Sequence, residues 1–494
     1  NPFFTGCYGH KIAETPAIDR IAESGARFEY AYCASPLCTP TRAAMFAGRY
    51  VHEIGCWCNS TPWDGRSGGW SHYLRDNDIR LVTIGKLDFM PGVDHGVGTE
   101  LLPSHRGSLD IHSLYREQPI PPRWLKKAQM DQSGPRADLT AETFHDHHVA
   151  VRAAEWLANE RPKDRPWVLN VNFTAPHPGW PCPPALWEKW NRKVRLEDLS
   201  PKYFEPLEKL HPYHRIFARH QCGAFASDED MRRGHAAYLA HCEMMDARVA
   251  LVLDALEKTG ILGETLVIYA SDHGETCRAH RSWGKMVQYE DSIRIPLVIM
   301  GPGVKNGALI RSPVSHLDIF PTIAEAVGLP HSPDFRGVSL LPACRAEPDA
   351  PCNDFVLSEY HANGFPAAAF SVSDGRFKYV ECVGERPMLF DLHSDPDELH
   401  DLIIERPAAS ETAQAVSRAR DWLCRICSPQ AVDARAKKDQ ALLRSEIERS
   451  GQLVKEIVKR GYEPRTDALV PRREVVPSGF FPDGSPATPP QSLS

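Results

Sequence analysis

Cys38-Thr-Pro-Thr-Arg42 is the string in this sequence whose residue types and spacing most plainly imply chemistry. Proline two places after the cysteine is excluded from a helix interior but suits a first turn. Ala43, Ala44, Met45 and Phe46 continue a helix that Gly48 can end. The spacing therefore predicts a helix starting at the cysteine. Its thiol then stands at the positive end of the helix dipole, with Arg42 one turn along on the same side. Such a place favours anionic chemistry; the competing reading is a half-buried structural cysteine. A second string, Asp272-His273, follows the apolar, β-branched run Thr265-Leu-Val-Ile-Tyr-Ala270. At the end of a buried parallel strand it offers an oxygen and a nitrogen donor to one divalent cation, Ca²⁺ or Mn²⁺ by ligand type, with Mg²⁺ also open. The alternative is that Asp272 only caps a helix. A third candidate is His177, just beyond the strand run Trp167-Val-Leu-Asn-Val-Asn-Phe173. Ligands of open α/β sheets bind at the carboxyl ends of strands.

These strings, in this order, resemble the formylglycine-dependent sulfatases, the arylsulfatase, choline-sulfatase and phosphonate monoester hydrolase branch of the alkaline phosphatase superfamily. The resemblance spans about residues 1–400. It implies that Cys38 is oxidised after synthesis to formylglycine, whose hydrate is the nucleophile, by a dedicated maturation machinery. It further implies that residue 38 joins Asp272 and His273 on the metal. Gly85-Lys86 resembles a segment whose lysine binds the sulfate, although Asp88 stands where these proteins commonly carry a histidine. On its own, Lys86 reads as a solvated lysine after a strand. Pro176-His177-Pro178 resembles the segment whose histidine contacts the ester and protonates the leaving group, and Trp283-Gly-Lys285 supplies a lysine facing the ester. Asn59, in Cys56-Trp-Cys-Asn-Ser-Thr-Pro62, resembles an asparagine that contacts the transferred group in phosphonate monoester hydrolases. Asn59 and Asp88 are therefore the substrate-binding candidates. Sulfatases open with an apolar strand ending in two acidic metal ligands shortly before a Gly-Cys-Tyr-Gly-like segment. Gly6-Cys-Tyr-Gly9 matches that segment, so the resemblance puts the acidic pair ahead of Asn1.

The implied reaction is metal-dependent hydrolysis of a small-molecule sulfate monoester. A phosphonate monoester or phosphodiester hydrolase on the same scaffold is the nearer alternative. A binding protein that keeps the fold and never receives the aldehyde is the farther one. The protein phosphatase loop, another cysteine chemistry, needs five residues between cysteine and arginine, and this string has three.

The chain can support such a site. Its 494 residues, 42% of them apolar, are enough for one large α/β core or two domains. A net charge of −7 argues against nucleic acid or an anionic membrane as general partner. No apolar run reaches the roughly 20 residues of a membrane span. Fourteen irregularly spaced cysteines read as mostly reduced thiols, which makes a cytoplasmic location the expectation, although a targeting segment could have been removed ahead of Asn1. A homo-oligomer is left open.

The expected fold is an α/β, alkaline-phosphatase-like sandwich with a central, mostly parallel sheet, over residues 1–365. The patterns behind it are a helix over 15–25 ended by Gly25, a strand over 26–33, strands at 79–84 and 167–173, and helices over 139–159 and 231–259. A zinc site on Cys56 and Cys58 and a metal shared by His145 and His148, three apart in the cluster His145-Asp-His147-His148, are disfavoured against buried thiols and a solvated helix face. Residues 366–462 read as a small α+β subdomain in which 375–383 alternates like a half-exposed antiparallel strand. Residues 463–494 form a Pro-rich extended tail.

Overall fold

The computed structural model describes residues 1–107, 109–114, 116–117, 120, 122–123, 130–131, 133–451, 462–463 and 470–471. In chain order, α1 (Pro16–Glu23) and β1 (Gly25–Phe28) lead to α2 (Cys38–Ala47). Next come β2 (Arg80–Lys86), β3 (Thr99–Ser104), α3 (His145–Asn159) and β4 (Trp167–Asn172). The 31-residue α4 (Asp228–Lys258) precedes β5 (Val267–Ala270), β6 (Leu297–Met300), β7 (Ala308–Ile310) and α5 (Ile319–Ala326). The C-terminal part holds β8 (Val356–Tyr360), β9 (Ala369–Ser373), β10 (Phe377–Cys382), β11 (Met388–Asp391), α6 (Ser410–Ile426) and α7 (Pro429–Arg449).

One sheet, β3-β2-β4, is wholly parallel. The other has the order β7-β1-β6-β5; β1 and β7 run parallel, and β6 is antiparallel to both β1 and β5. Alternate residues of the strands feed opposite layers, as a period of two requires. Val82 and Ile84 pack with Ile18, Ile21, Val149, Trp156, Leu253 and Leu256 of α1, α3 and α4, whereas Leu81 packs with Phe46, Trp70 and Phe320 on the side of α2 and α5. The sandwich expected from the sequence is thus present.

The edges of β4 and β5 line a cavity of about 760 Å³, together with apolar residues of α1 and α4 such as Ile18, Met245, Val249 and Leu253. Both strands are only half-buried, in contrast to the fully buried β6.

Three local expectations differ from the structure. The strand ahead of Asp272-His273 is neither buried nor parallel: β5 is half-buried and pairs with β6 antiparallel, because it stands at the edge of its sheet beside the cavity. Gly25 does not stop α1, which ends at Glu23 with Ser24 as its C-cap; it is the first residue of β1. A Cβ there would lie 2.1 Å from the carbonyl oxygen of Ile299 on the paired β6, so close strand approach explains the glycine. The 375–383 strand is not half-exposed: in β10 only Glu381 escapes full burial. The antiparallel sheet β8-β9-β10-β11 is covered on both faces, by α6 through Ala415, Ala419 and Leu423 and by Tyr213, Phe217 and Tyr289 on the other. This sheet takes its first strand from residues ahead of 366. Inside it Lys378, fully buried, pairs with Glu290 at 3.1 Å and with Glu398, tying the sheet to the main layer. The Pro-rich stretch 463–494 lies outside the described residues apart from 463, 470 and 471. No helix among the described residues is long and apolar enough to cross a membrane.

The core also sets an acid limit on stability. His235 and His241 on α4, and His211, are buried and point Nε2–H at the carbonyls of Cys277, Pro181 and Arg386 at 2.8 to 3.0 Å. Burial holds His241 and His211 down to about 4 and His235 to about 3. Unfolded imidazoles take up protons below about pH 6.5 and these folded ones do not, so stability is lost as pH falls from 6.5 toward 4. Each contributes up to about 1.4 kcal/mol per pH unit in that window. Melting curves at pH 7.0, 6.0 and 5.0 should show Tm falling steadily; a flat profile would show that these imidazoles are not held neutral.

Candidate active site

Four elements deliver the site. Helix α2 begins at Cys38, as its spacing requires, and Leu37 takes the extended N-cap position. Asn59 supports this start by accepting the Thr39 backbone N–H on Oδ1 at 3.3 Å. Gly48 ends the helix in the left-handed region with φ 64°. Strand β2 places Lys86 at its last position through a bulge at Gly85, where the register against β3 shifts. Gly85 has φ +92°, and a Cβ would meet the Asn172 carbonyl oxygen at 2.2 Å. His177 follows β4, and Asp272 and His273 follow β5.

These ends converge on residue 38. Lys285 donates from Nζ to Cys38 Sγ at 3.3 Å, and His273 Nε2 lies 3.2 Å from the same sulfur. His177 stands close enough for the charge on that sulfur to act on its ring. Burial opposes ionisation of the Cys38 thiol, but the Lys285 and Lys86 ammoniums and His273 outweigh it, and the thiol sits well below its ordinary value. The site is therefore built to hold an anion. Arg42 donates Nε–H to Asp272 Oδ2 at 3.0 Å and Nη1–H to the Lys86 carbonyl at 2.8 Å. Although burial works against it, His273 and Arg42 hold the Asp272 carboxyl far below the usual carboxylate range. Cys38 Sγ, an Asp272 oxygen and a His273 nitrogen all lie within 4.8 Å of one another, which makes them the metal-compatible group among the described residues. His273 donates Nδ1–H to the Gly274 carbonyl at 2.9 Å, which orients Nε2 toward the centre of that group.

Each residue singled out in the sequence has a definite place. Cys38, Arg42, Lys86, His177, Lys285, Asp272 and His273 meet at one point, and Asn59 stands behind the first turn of α2. The Asp88 carboxylate is taken up by Lys86 Nζ at 3.3 Å and Arg106 Nη2 at 3.1 Å. Cys56 and Cys58 are buried, and burial pushes the Cys58 thiol up to about 11. His145 and His148 are exposed on α3.

Three contributors escaped the sequence reading. Asp146, inside the His-rich cluster, is buried and accepts the backbone N–H groups of Thr174 and Ala175 at 2.8 and 2.7 Å, holding the loop that carries His177. Its signal was helical phase: residues 146, 149, 150, 153 and 157 share one buried stripe. His316 joins α2 to the exit of β5, accepting from Thr41 Oγ1 at 3.0 Å and donating to the Ser271 carbonyl at 2.7 Å. Arg106 carried no signal, since nothing in its local sequence distinguishes it from a surface arginine.

A family model described as sulfatase matches residues 3–329, and one described as N-sulphoglucosamine sulphohydrolase, C-terminal, matches residues 278–421. Arylsulfatase K of Gallus gallus is 30% identical over 438 residues, covering 83% of this chain and 78% of that protein. Choline-sulfatase of Rhizobium meliloti (strain 1021) is 30% identical over 446 residues, covering 86% and 84%. In fold, phosphonate monoester hydrolase of Agrobacterium radiobacter aligns with a TM-score of 0.66 at 22% identity, over 88% of this chain and 94% of that one. With the converging site and the sandwich that carries it, these matches place the chain in the sulfatase family, on an alkaline-phosphatase-like fold.

Proposed function

We propose that this sulfuric ester hydrolase cleaves a sulfate monoester through formylglycine made from Cys38, with one divalent cation held by Asp272, His273 and residue 38. The observation that carries the reading is the meeting of Cys38, Asp272 and His273 within one ligand-sized space, flanked by Lys86, Lys285 and Arg42. The donor set fits a hard cation: an ionised carboxylate, an imidazole lone pair and, after oxidation of Cys38, oxygens in place of the sulfur. Ca²⁺, Mn²⁺ and Mg²⁺ suit such ligands. Three residues are fewer than the six to eight ligands roughly typical of Ca²⁺. When bound, the cation polarises the ester and favours an ionised hydroxyl on residue 38.

The hydrated aldehyde supplies two hydroxyls: one forms the bond to sulfur as the sulfur–alkoxide bond breaks, and loss of the other's proton expels sulfate and restores the carbonyl. Lys86 and Lys285 hold the non-bridging oxygens, and Arg42 keeps Asp272 ionised and aimed. His177 donates the proton taken by the departing alcohol. In the free protein Lys285, followed by burial, holds His177 down to about 4, which leaves it neutral at pH 7. The negative charge of the bound ester opposes Lys285 and raises the affinity of the His177 ring for a proton.

The second reading, a phosphonate monoester or phosphodiester hydrolase, draws on Asn59 beside the start of α2 and on aspartate at position 88. All three ester classes carry one negative charge, so Coulomb attraction does not separate them. Geometry does: three cations around residue 38 suit a group whose non-bridging oxygens are all exposed, with no methyl or second ester carbon to accommodate. An aryl sulfate should therefore be turned over with higher kcat/KM than the matching aryl phosphonate, and Lys86→Ala should lower the sulfate value more. Phosphonate preferred by about tenfold, roughly 1.4 kcal/mol of transition-state preference, would establish the second reading instead.

A further inference from the structure

We propose that Arg106 and Asp88 are positioning residues that hold the Lys86 ammonium on the reacting group. Lys86 lies at the end of β2, beyond the Gly85 bulge, where its long side chain has many rotamers. Two anions compete for it. One is the anionic group of the ester that the site holds beside residue 38. The other is Asp88 itself, 3.3 Å from Nζ and almost fully buried at 5% exposure. Left with Lys86 alone, a buried carboxylate would draw the ammonium onto itself, because an unpaired buried charge is costly.

Arg106 prevents this. Its Nη2 stands 3.1 Å from the same Asp88 oxygen that Lys86 approaches, so the carboxylate is shared between two cations. Its Nε–H is donated to Thr39 Oγ1 at 3.2 Å, in the first turn of α2 beside Cys38. The backbone reinforces the geometry: Leu87 and Asp88 both donate N–H to the Ser104 carbonyl at 3.0 Å, and Arg106 donates its own to the Phe89 carbonyl at 3.0 Å. Asp88 holds a positive φ of 61°, in the left-handed region that aspartate enters more readily than most L-residues. The result is a bridge from the end of β2, through Asp88 and Arg106, to the start of α2. It fixes Lys86 relative to residue 38.

This inference rests on the sulfatase reading of the site, and a mutant cycle in the full-length, aldehyde-bearing protein tests it. Arg106→Ala should lower kcat/KM for an aryl sulfate about tenfold and weaken inhibition by inorganic sulfate in parallel, with Tm close to that of wild type. Arg106→Lys should recover most of the loss. In an Asp88→Asn background, Arg106→Ala should cost twofold or less, because no buried charge remains to compete for Lys86. Equal losses in both backgrounds, or an Arg106→Ala enzyme matching wild type, would overturn the proposal. If wild type fails to cleave aryl sulfate, the sulfatase reading fails instead. The affinity of wild type, Arg106→Ala, Asp88→Asn and the double variant for inorganic sulfate, measured by calorimetry, then still decides whether Arg106 acts through Asp88.

Discussion

Cys38→Ala should yield a folded protein whose kcat/KM for an aryl sulfate is lower by on the order of 10⁵-fold, because losing a covalent nucleophile closes the route rather than slowing it. Stability should hardly change. Residue 38 is the first residue of α2, where alanine is well tolerated, and its sulfur packs against Lys285, His273 and His177 rather than against apolar side chains. The structural reading of the cysteine predicts the reverse: unchanged chemistry and a cavity cost of the kind seen when buried groups are deleted. Activity and Tm measured on one preparation separate the two.

Asp272→Asn should have the second largest effect. The carboxylate has two tasks, a ligand oxygen in the group with Cys38 and His273 and the ion pair with Arg42. The amide keeps the shape and abolishes the charge, so divalent metal content and turnover should fall together, turnover by on the order of 10³-fold. Asparagine is the better test than alanine, because removing the group outright leaves the buried Arg42 guanidinium with only the Lys86 carbonyl and no counter-charge, and adds a cost in stability of about 3–5 kcal/mol. Metal analysis showing full occupancy together with undiminished turnover would exclude Asp272 as a ligand.

How much of this was legible in the sequence depends on the range of the interaction involved. The start of α2 at Cys38 and its end at Gly48 are local, written in a proline, an alanine run and a glycine. The same holds for the apolar runs that became β4 and β5 and for the Asp-His pair behind β5. Residues whose meaning is set by a distant partner were not legible. Gly25 reads as a helix stop and is in fact a strand residue pressed against Ile299, which follows it by most of the catalytic layer. Asp146 reads as part of a solvated His-rich face, yet helical phase turns it inward to hold the His177 loop. The strand at 375–383 reads as half-exposed because its alternation is visible, whereas the second cover over it, α6, is not. Arg106 shows the limit most clearly, since its significance lies wholly in Asp88 and Thr39.

The central claim is that residue 38 acts as an aldehyde, and the mass of the tryptic peptide 28–42 from active enzyme tests it most directly. That peptide carries Cys33 as an internal comparison, buried and pushed by burial well above its ordinary thiol value. Protein produced together with the maturation machinery should show the aldehyde or its hydrate at position 38 and an unmodified thiol at position 33, in proportion to aryl sulfatase activity. Full activity in protein whose peptide carries only the thiol at position 38 would contradict the account.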